Sequence, residues 1–447
     1  MQISPNGVNV NPPSSLAMHQ HWTRPAARRR ERRGERSSRS VLSGRRRRNR
    51  RGERGQHQRH SVVVCLALTS ARRENNNDDH DVVLVVTGCL GFIGSHFCER
   101  VLANTNARVI GIDRVDVDLG PYKKEHKKAN LEHLMRIGKW EEDDNASIED
   151  KFTFIEEDIL ALGVDGMLEQ CGTTAAAIDG VVHCAALSGV RDTLDDPTLA
   201  FRANVETTAI AIEFAKRREA NFVFLSSGAT YGDNADKIAS RECEGVMGAS
   251  SMATSPYAFS KIAGEAVVRS YARAFEALGK KITIARIFTC FGNRGRPDMA
   301  ITRFFCSLLD DGGNEGEEKK LTMFGDGDDS WRDYCHVSDV CSGIEKALWR
   351  EKGSTCEAIN ISRGEAVSLR RLMTSVQRAA SEELKSSSDD DVKIVVEPKR
   401  PGDVGGTFAD VSKAKNLLDW EAEISLEEGL ASVAKWYNSA ESKTQFR

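Results

Sequence analysis

Between Val82 and Gly94 the chain reads Val82-Val83-Leu84-Val85-Val86-Thr87-Gly88-Cys89-Leu90-Gly91-Phe92-Ile93-Gly94. A continuous apolar run meets three glycines, each three residues after the last, and Ser95 to Ala103 then alternates apolar and polar residues at helical spacing. An apolar run of this kind suits a strand covered on both faces of a parallel sheet. The glycines let backbone approach something bulky, and the start of the next helix offers free N–H groups to a phosphate. Nineteen residues past Gly94, at the end of the apolar run from Arg108 to Ile112, stands Asp113. A carboxylate there can accept hydrogen bonds from a ribose diol, and it repels a 2′-phosphate, which favours NAD over NADP. Arg114 beside it acts in the opposite sense. Three glycines after a strand also serve an ordinary strand–helix turn. The expectation of a dinucleotide site therefore rests on strand, turn, helix and acid together.

From Asp81 onward strand and helix patterns alternate. Strands are expected at Val82–Val86, Arg108–Ile112, Phe152–Ile155, Gly180–His183, Phe222–Leu225 and Ile282–Ile287, with amphipathic helices between them, notably Pro197–Arg218 and Pro256–Leu278. Strands separated by helices form βαβ units and a parallel sheet, an α/β fold. After Phe291 the pattern is less regular. Helices are expected near Pro297–Leu309, Val337–Trp349, Ser368–Glu382 and Ser425–Trp436, and strands near Leu321–Phe324 and Ala358–Ile361. The charged stretches Asp310–Lys320 and Ser381–Asp391 read as surface loops.

Charge divides the chain. Sixteen Arg against Glu31, Glu35 and Glu53 give residues 23–59 a surplus of +13, so with a net charge of −3 overall, residues 60–447 carry −16. An acidic body argues against a nucleic-acid groove within it. Residues 1–60 are rich in Pro, Ser, Gly and Arg and lack apolar periodicity, which predicts disorder. They read as a transit-like segment, a nucleic-acid-binding arm or a dispensable tail. Val62–Leu68 followed by Thr69-Ser70-Ala71 has the length of a signal-peptide core, and Glu74 to His80 is a polar linker. The eleven cysteines form no C-x-x-C and no cluster with zinc-ligand spacing, so they read as small buried residues in a reducing compartment, the cytoplasm, and no metal is expected. No apolar run approaches the ~18 residues that a membrane span needs.

Chemistry concentrates around Pro256-Tyr257-Ala258-Phe259-Ser260-Lys261, which opens a helix. Tyr257 and Lys261 stand at i and i+4, on one face. A tyrosine with its usual value near 10 is a poor base at neutral pH, but a nearby ammonium and the positive ring of an oxidised nicotinamide would lower it. An exposed Tyr and Lys on a helix would show the same spacing. The preceding strand, Phe222-Val223-Phe224-Leu225-Ser226-Ser227, ends in hydroxyls, and in a parallel sheet that end faces the ligand crevice. Ser227 can thus hydrogen-bond the oxygen that Tyr257 deprotonates. His183-Cys184-Ala185-Ala186 closes the strand before; its small residues let a dinucleotide lie across the sheet, and His183 reads as a packing or cofactor-edge residue rather than an acid–base group.

Gly88-x-x-Gly91-x-x-Gly94, Asp158-Ile159, His183-x-Ala185-Ala186, Ser226-Ser227, Tyr257-x-x-x-Lys261 and Arg332-Asp333-Tyr334-x-His336-Val337-x-Asp339-Val340 occur in the order seen in extended short-chain dehydrogenases. Over about Asp81 to Trp436 the chain resembles the NAD-dependent nucleotide-sugar epimerase/dehydratase family. Ser188-Gly189-Val190-Arg191 with Asp196-Pro197 and Asn204, Arg286 to Gly292 leading to Gly295-Arg296-Pro297-Asp298-Met299-Ala300, and Tyr122 to Leu134 are similar to UDP-glucuronate 4-epimerases. The resemblance implies a Rossmann-type doubly wound parallel sheet with a smaller C-terminal substrate-binding subdomain, in a homodimer. It divides the chain into a leader and linker (1–80), an NAD-binding domain with the catalytic Tyr and Lys (81–290), and a part that mainly binds the nucleotide sugar (291–447). It implies catalysis by Tyr257, Lys261 and Ser227. NAD would be held by Gly88, Gly91, Phe92, Ile93, Gly94, Asp113, Asp158, Ile159, Ala185 and Ala186 together with Tyr257 and Lys261. The UDP-sugar would be held by Ser227, Thr289, Arg296, Arg332, Arg400 and Asp403, since a guanidinium fork matches phosphate oxygens; each arginine could instead form a surface ion pair.

The implied reaction is 4-epimerisation of a UDP-sugar through a transient 4-keto intermediate, with UDP-glucuronate giving UDP-galacturonate. Gly228-Ala229 follow Ser227 where glucuronate epimerases carry further hydroxyls, which keeps UDP-glucose open as the substrate. Decarboxylation of UDP-glucuronate is a further alternative, and a degenerate Rossmann binding module with a basic nucleic-acid arm is the non-enzymatic one. The stretch from Ser227 to Tyr257 is longer than usual for the family and implies an extended loop.

Overall fold

The computed structural model describes residues 82–439 and Ser442, apart from 117, 119–121, 140–149, 176, 234–237, 245–254, 310–318, 326, 386–391 and 399–404. The leader and linker expected over 1–80, with the run Val62–Leu68, lie outside the described residues, as do Arg400, Asp403 and much of the loop before Tyr257.

The first six strands are β1 (Val83–Thr87), β2 (Arg108–Asp113), β3 (Phe152–Glu156), β4 (Gly180–His183), β5 (Asn221–Ser227) and β6 (Ile282–Ile287), each within two residues of its expected bounds. Then come β7 (Thr289–Phe291), β8 (Lys319–Phe324), β9 (Trp331–His336), β10 (Cys356–Ile361), β11 (Ala366–Ser368), β12 (Val392–Glu397) and β13 (Gly406–Thr407). Seven of them form one sheet in the order β10-β6-β5-β4-β1-β2-β3, parallel throughout. The winding reverses between β1 and β4, where Thr87 stands beside His183. A reversal of this kind opens a crevice at the carboxyl ends of the two strands.

Hydrophobic burial on both faces explains why these strands read as unbroken apolar runs. Val86, Val182, Val223, Ala285 and Ile359 point into one core beneath the helices Phe92–Asn104 and Val337–Leu348. Val85, Val181, Phe222, Phe224 and Ile284 point into a second core beneath Ile159–Thr174, Thr207–Arg217 and Pro256–Ser270. A Val or Phe so enclosed contributes roughly 1.5–3 kcal/mol relative to exposure. A third core joins Ala300–Leu309, Leu369–Leu384 and Leu426–Tyr437 to Leu321, Met323 and Tyr334.

Three expectations are corrected. The sequence boundary at 290/291 separates sheet from subdomain too early: β10 pairs with β6 from Cys356↔Ile282 to Ile361↔Ile287, and the helix Val337–Leu348 covers the first core. Later segments rejoin the sheet because its β6 edge still has free hydrogen-bonding groups. The charged stretches also begin and end inside regular structure, since β8 starts at Lys319 and the helix Leu369–Leu384 passes Ser381. The helix expected from Pro297 starts at Ala300, after a turn in which Arg296 pairs with Asp298. The motif Arg332-Asp333-Tyr334-x-His336, read only as a signature, is strand β9, with β7, β11 and β13 bonded to it.

Candidate active site

The crevice at the β1–β4 reversal is a cleft of about 330 Å³. Its floor is the glycine turn. Gly88 has φ +70°, and a Cβ on it would lie 2.6 Å from the Ala185 nitrogen; a Cβ on Gly94 would lie 2.1 Å from the Gly88 carbonyl oxygen. Backbone is stacked on backbone here, so neither residue can carry a side chain without moving the turn. The helix Phe92–Asn104 begins with no side-chain cap on Gly91, and Gly91, Phe92, Ile93 and Gly94 all line the cleft. Uncapped N–H groups at a cleft suit a phosphate.

Asp113 closes this end. Its Oδ2 accepts from the Leu90 N–H at 2.9 Å, and its Oδ1 accepts from the Arg114 N–H at 2.7 Å and the Lys127 ammonium at 2.8 Å. Lys127 was not singled out from sequence. Its ammonium also donates to the Arg114 carbonyl at 2.8 Å, so it neutralises Asp113 and fixes it in place. A neutralised acid repels a 2′-phosphate less than a free one. Asp158 caps the helix Ile159–Thr174 through the Leu160 N–H, pairs with Arg114 at 3.0 Å, and lines the cleft with Ile159, Ala185 and Ala186.

The opposite wall carries the acid–base residues. Ser255 accepts from the Ala258 N–H and starts the helix Pro256–Ser270, with Pro256 in the first turn. This helix packs on β5, so Tyr257, Lys261 and Ser227 line one side of the cleft. Lys261 is buried; its ammonium donates to the Leu225 carbonyl at 2.7 Å and sits 5.0 Å from the centre of the Phe224 ring. Burial pulls it down to about 8, opposed by Cys184 and Glu265. Burial pushes the Tyr257 phenol above its usual value, while the hydrogen bond with Ser227 and the charge of Arg296 pull it back. Arg296 is the cation that pulls the phenol back, while the Lys261 ammonium is held on the Leu225 carbonyl.

His183 is enclosed between Thr87 Oγ1 at 2.7 Å and Thr207 Oγ1 at 3.4 Å, and burial holds it down to about 3. It stays neutral and packs, as read from sequence. Asn204 sits in a π-helical turn, Arg202–Glu206; its amide oxygen accepts from the Leu187 N–H at 2.7 Å and its nitrogen donates to the Leu187 carbonyl and to Ser260 Oγ. That motif asparagine fastens the loop after β4 to the catalytic helix, a recurring use of such turns.

A second cavity of about 330 Å³ adjoins the first, since Cys290 and Met299 line both. Thr289 and Arg332 face it as expected, and Arg191 and Arg303 join them. Three guanidiniums around one cavity suit a diphosphate. Arg332 Nη1 donates to the carbonyls of Trp331 and Gly405, and the Asp233 carboxylate accepts from the N–H groups of Gly405 and Gly406, so the turn after β5 is tied to the chain that enters β13. Arg296 faces the first cleft but forms a two-pronged pair with Asp298 at 3.0 and 2.7 Å, the ion pair foreseen as the alternative role of these arginines. Sequence reading passed over Arg303 and Asp233 because neither belongs to a recognisable motif.

Among the described residues, no group of three or more His, Cys, Asp or Glu is arranged to hold a metal ion, and no helix is long and apolar enough to cross a membrane.

Comparison with known proteins gives this geometry its context. An uncharacterized UDP-glucose epimerase of Bacillus subtilis, YtcB, is 31% identical over 358 residues, covering 80% of this chain and 98% of that protein. A UDP-glucuronate 4-epimerase of Thermodesulfobacterium geofontis is 29% identical, covering 79% of this chain and 95% of that protein. The crystal structure of UDP-glucuronic acid 4-epimerase from Bacillus cereus, in complex with UDP-glucuronic acid and NAD, superposes with a TM-score of 0.63 at 30% identity, covering 79% of this chain and 98% of that one. A sequence profile of the NAD dependent epimerase/dehydratase family matches residues 84–362, a stretch that holds both walls of the cleft. The chain therefore belongs to the NAD dependent epimerase/dehydratase family and is an enzyme with NAD as its cofactor.

Proposed function

We propose that the enzyme epimerises C4 of a UDP-sugar, converting UDP-glucuronate to UDP-galacturonate. The observation that carries this reading is the distribution of acid–base groups along the two joined cavities. Tyr257, Lys261 and Ser227 meet at the carboxyl end of β5, while the carboxylates of the first cleft, Asp113, Glu157 and Asp158, all belong to the end marked by the first glycine turn and β2. Gly228 and Ala229 follow Ser227, so the turn beside the reacting sugar carries no second acid–base pair. Dehydration across C5 and C6 needs such a pair; epimerisation does not.

In this reading the glycine turn, Asp113 and the alanines after β4 hold NAD, which supplies the acceptor and donor of hydride for C4. Ser227 holds the 4-oxygen. Tyr257 takes the hydroxyl proton and later returns it, so the protein ends each cycle as it began. Lys261, held on the Leu225 carbonyl, keeps a positive charge near the phenol. Arg191, Arg303 and Arg332 hold the diphosphate, and the room where the cavities join lets the sugar turn over between the two transfers. Arg400 and Asp403 are proposed at the nucleotide end on their motif positions alone.

The segment Gly295 to Ala300 and the likeness to the Bacillus cereus enzyme support glucuronate as substrate. Gly228-Ala229 and the name of the Bacillus subtilis relative support UDP-glucose as the second reading. Incubation with UDP-glucuronate, UDP-glucose and UDP-xylose separately, with products identified by NMR, is expected to give UDP-galacturonate from the first. Turnover of UDP-glucose alone would overturn the substrate, and formation of UDP-xylose from UDP-glucuronate would overturn the reaction.

We further propose a homodimer. Leu194, Leu199, Phe201 and Phe259 are exposed on three helices packed against one another, Val190–Asp195, Pro197–Phe201 and Pro256–Ser270. Exposed large apolar side chains on neighbouring helices suit burial against a second copy. Light scattering on the eluting protein is expected to give twice the chain mass of 49.3 kDa, and a single-chain mass at micromolar concentration would reject it.

A further inference from the structure

Beneath the catalytic wall lies an ion pair that the reaction itself does not use. Arg286 of β6 and Glu265 of the catalytic helix are both fully enclosed, with Arg286 Nε 2.8 Å from Glu265 Oε1 and Nη2 2.7 Å from Oε2. Ser226, one residue before Ser227, donates to Glu265 Oε1 at 2.6 Å. In the sheet Arg286 stands between Ser226 and Asn360, and its guanidinium lies 4.7 Å from the centre of the Tyr231 ring, whose hydroxyl donates to Asn360 at 2.7 Å. Glu265 follows Lys261 by one helical turn, so the two share a face. A buried pair of this kind is costly to desolvate and adds little stability over an apolar pair of the same volume, so stability alone does not account for its place under the catalytic residues.

We propose that the Glu265–Arg286 pair positions the Tyr257–Lys261 couple and sets the pH window in which it works. The proposal rests on the acid–base role given above to Tyr257. Glu265 fastens the helix to β5 through Ser226, between the catalytic serine and the strand carbonyl that holds Lys261. Its charge also acts on Lys261, where it opposes the depression caused by burial. The carboxylate and the guanidinium are opposite charges held side by side beneath the couple, so loss of either member leaves the other unbalanced. Other charged or titratable groups face the couple as well: His183 and Cys184 from the end of β4, and Arg296 from the segment after β7. Arg269 reaches Glu265 at 3.5 Å from the solvent side, and Glu242 faces Arg286 from beyond Tyr231. None of these changes in the Glu265 and Arg286 variants below.

The sign follows directly. Glu265→Gln leaves Arg286 as an unbalanced cation. Lysine then gives up its proton more readily and tyrosinate forms more readily, so both limbs of the kcat profile move to lower pH. Arg286→Met leaves the carboxylate unbalanced and moves both limbs to higher pH. For charges one helical turn apart inside a protein the displacement is about one pH unit. The double variant Glu265→Gln/Arg286→Met removes both charges and returns the profile to within a few tenths of a unit of wild type.

The experiment measures kcat and KM from pH 5 to 10, on the full chain, with the fastest UDP-sugar of the panel above, and NAD content alongside. Opposite displacements with KM within about twofold support the proposal. Displacements in the same direction, or a fall in kcat at every pH with the limbs unmoved, overturn it and leave the pair a purely structural element. If the single variants do not fold, Arg269→Gln at the exposed side of the same carboxylate is expected to move both limbs upward by a smaller amount, and unmoved limbs there overturn the proposal. Tyr257→Phe is assayed in parallel: an active enzyme would reject the acid–base reading itself, whereas an inactive one beside unmoved profiles rejects only this inference.

Discussion

Tyr257→Phe is expected to slow turnover by ~10²-fold or more while NAD content and fold are retained. The substitution removes one oxygen and keeps the ring. Ser227 acts on that oxygen, and among the described residues nothing else in the cleft replaces it: Lys261 is turned to the Leu225 carbonyl, His183 is locked between two threonines, and Cys184 is pushed up to about 12 by burial. Among the described residues of the cleft, no other group is placed to take a proton near neutral pH from the hydroxyl of the proposed substrate. Folding does not depend on the oxygen, because the helix is started by Ser255 and held to β5 through Lys261, Ser226 and Glu265. The measurement is product formation followed by NMR at several pH values, together with NAD released on denaturation. A rate within about threefold of wild type would remove Tyr257 from the acid–base role. A large loss accompanied by missing NAD would point instead to a damaged cofactor site.

Most of the central sheet was legible because its strands are buried on both faces. Val83–Thr87 and Ile282–Ile287 carry no exposed position, so their hydrophobic runs have clear ends. β9 hid for the opposite reason. Trp331–His336 is buried but polar in sequence, because Asp333 is enclosed and accepts from the N–H groups of Arg363, Gly364 and Ala409, partners 30 or more residues away. No local pattern reports such partners. The return of Cys356–Ile361 to the sheet was missed on the same ground: the strand was seen, but its neighbour β6 is set by tertiary packing alone. Of the residues that line the two cavities, those fixed by a motif were legible, namely the glycines, Asp113, Ser227, Tyr257, Lys261 and Arg332. Lys127, Arg303 and Asp233 were not, since each acts through a position in space that the spacing along the chain does not encode. Asn204 lies between: its motif was recognised, but its work as a fastener of the loop after β4 emerges only from its three hydrogen bonds.

Gly94→Ala is expected to reduce bound NAD to less than a tenth of the wild-type content, a larger loss than Asp113→Ala, for which about tenfold weaker binding is expected with a narrower gap to NADP. The two substitutions act on different features. A methyl group at residue 94 would sit 2.1 Å from the Gly88 oxygen and 3.0 Å from its carbonyl carbon, contacts that no side-chain rearrangement can relieve. The turn must shift, and with it the N–H groups of the helix start that face the phosphates. Overpacking of this kind costs about 1–3 kcal/mol, and 1.4 kcal/mol is already tenfold in binding. Asp113→Ala introduces no clash in the turn, though it takes away the acceptor for the Leu90 N–H; it also removes the acceptor for the ribose diol and frees the Lys127 ammonium. That ammonium then favours a 2′-phosphate, so affinity for NADP should fall less than affinity for NAD, or rise. Both variants are read by NAD content of the purified protein and by calorimetric titration with NAD and NADP. Wild-type NAD affinity in Gly94→Ala would mean that the cofactor does not lie on the glycine turn. An unchanged preference in Asp113→Ala would mean that the ribose is read elsewhere along the cleft.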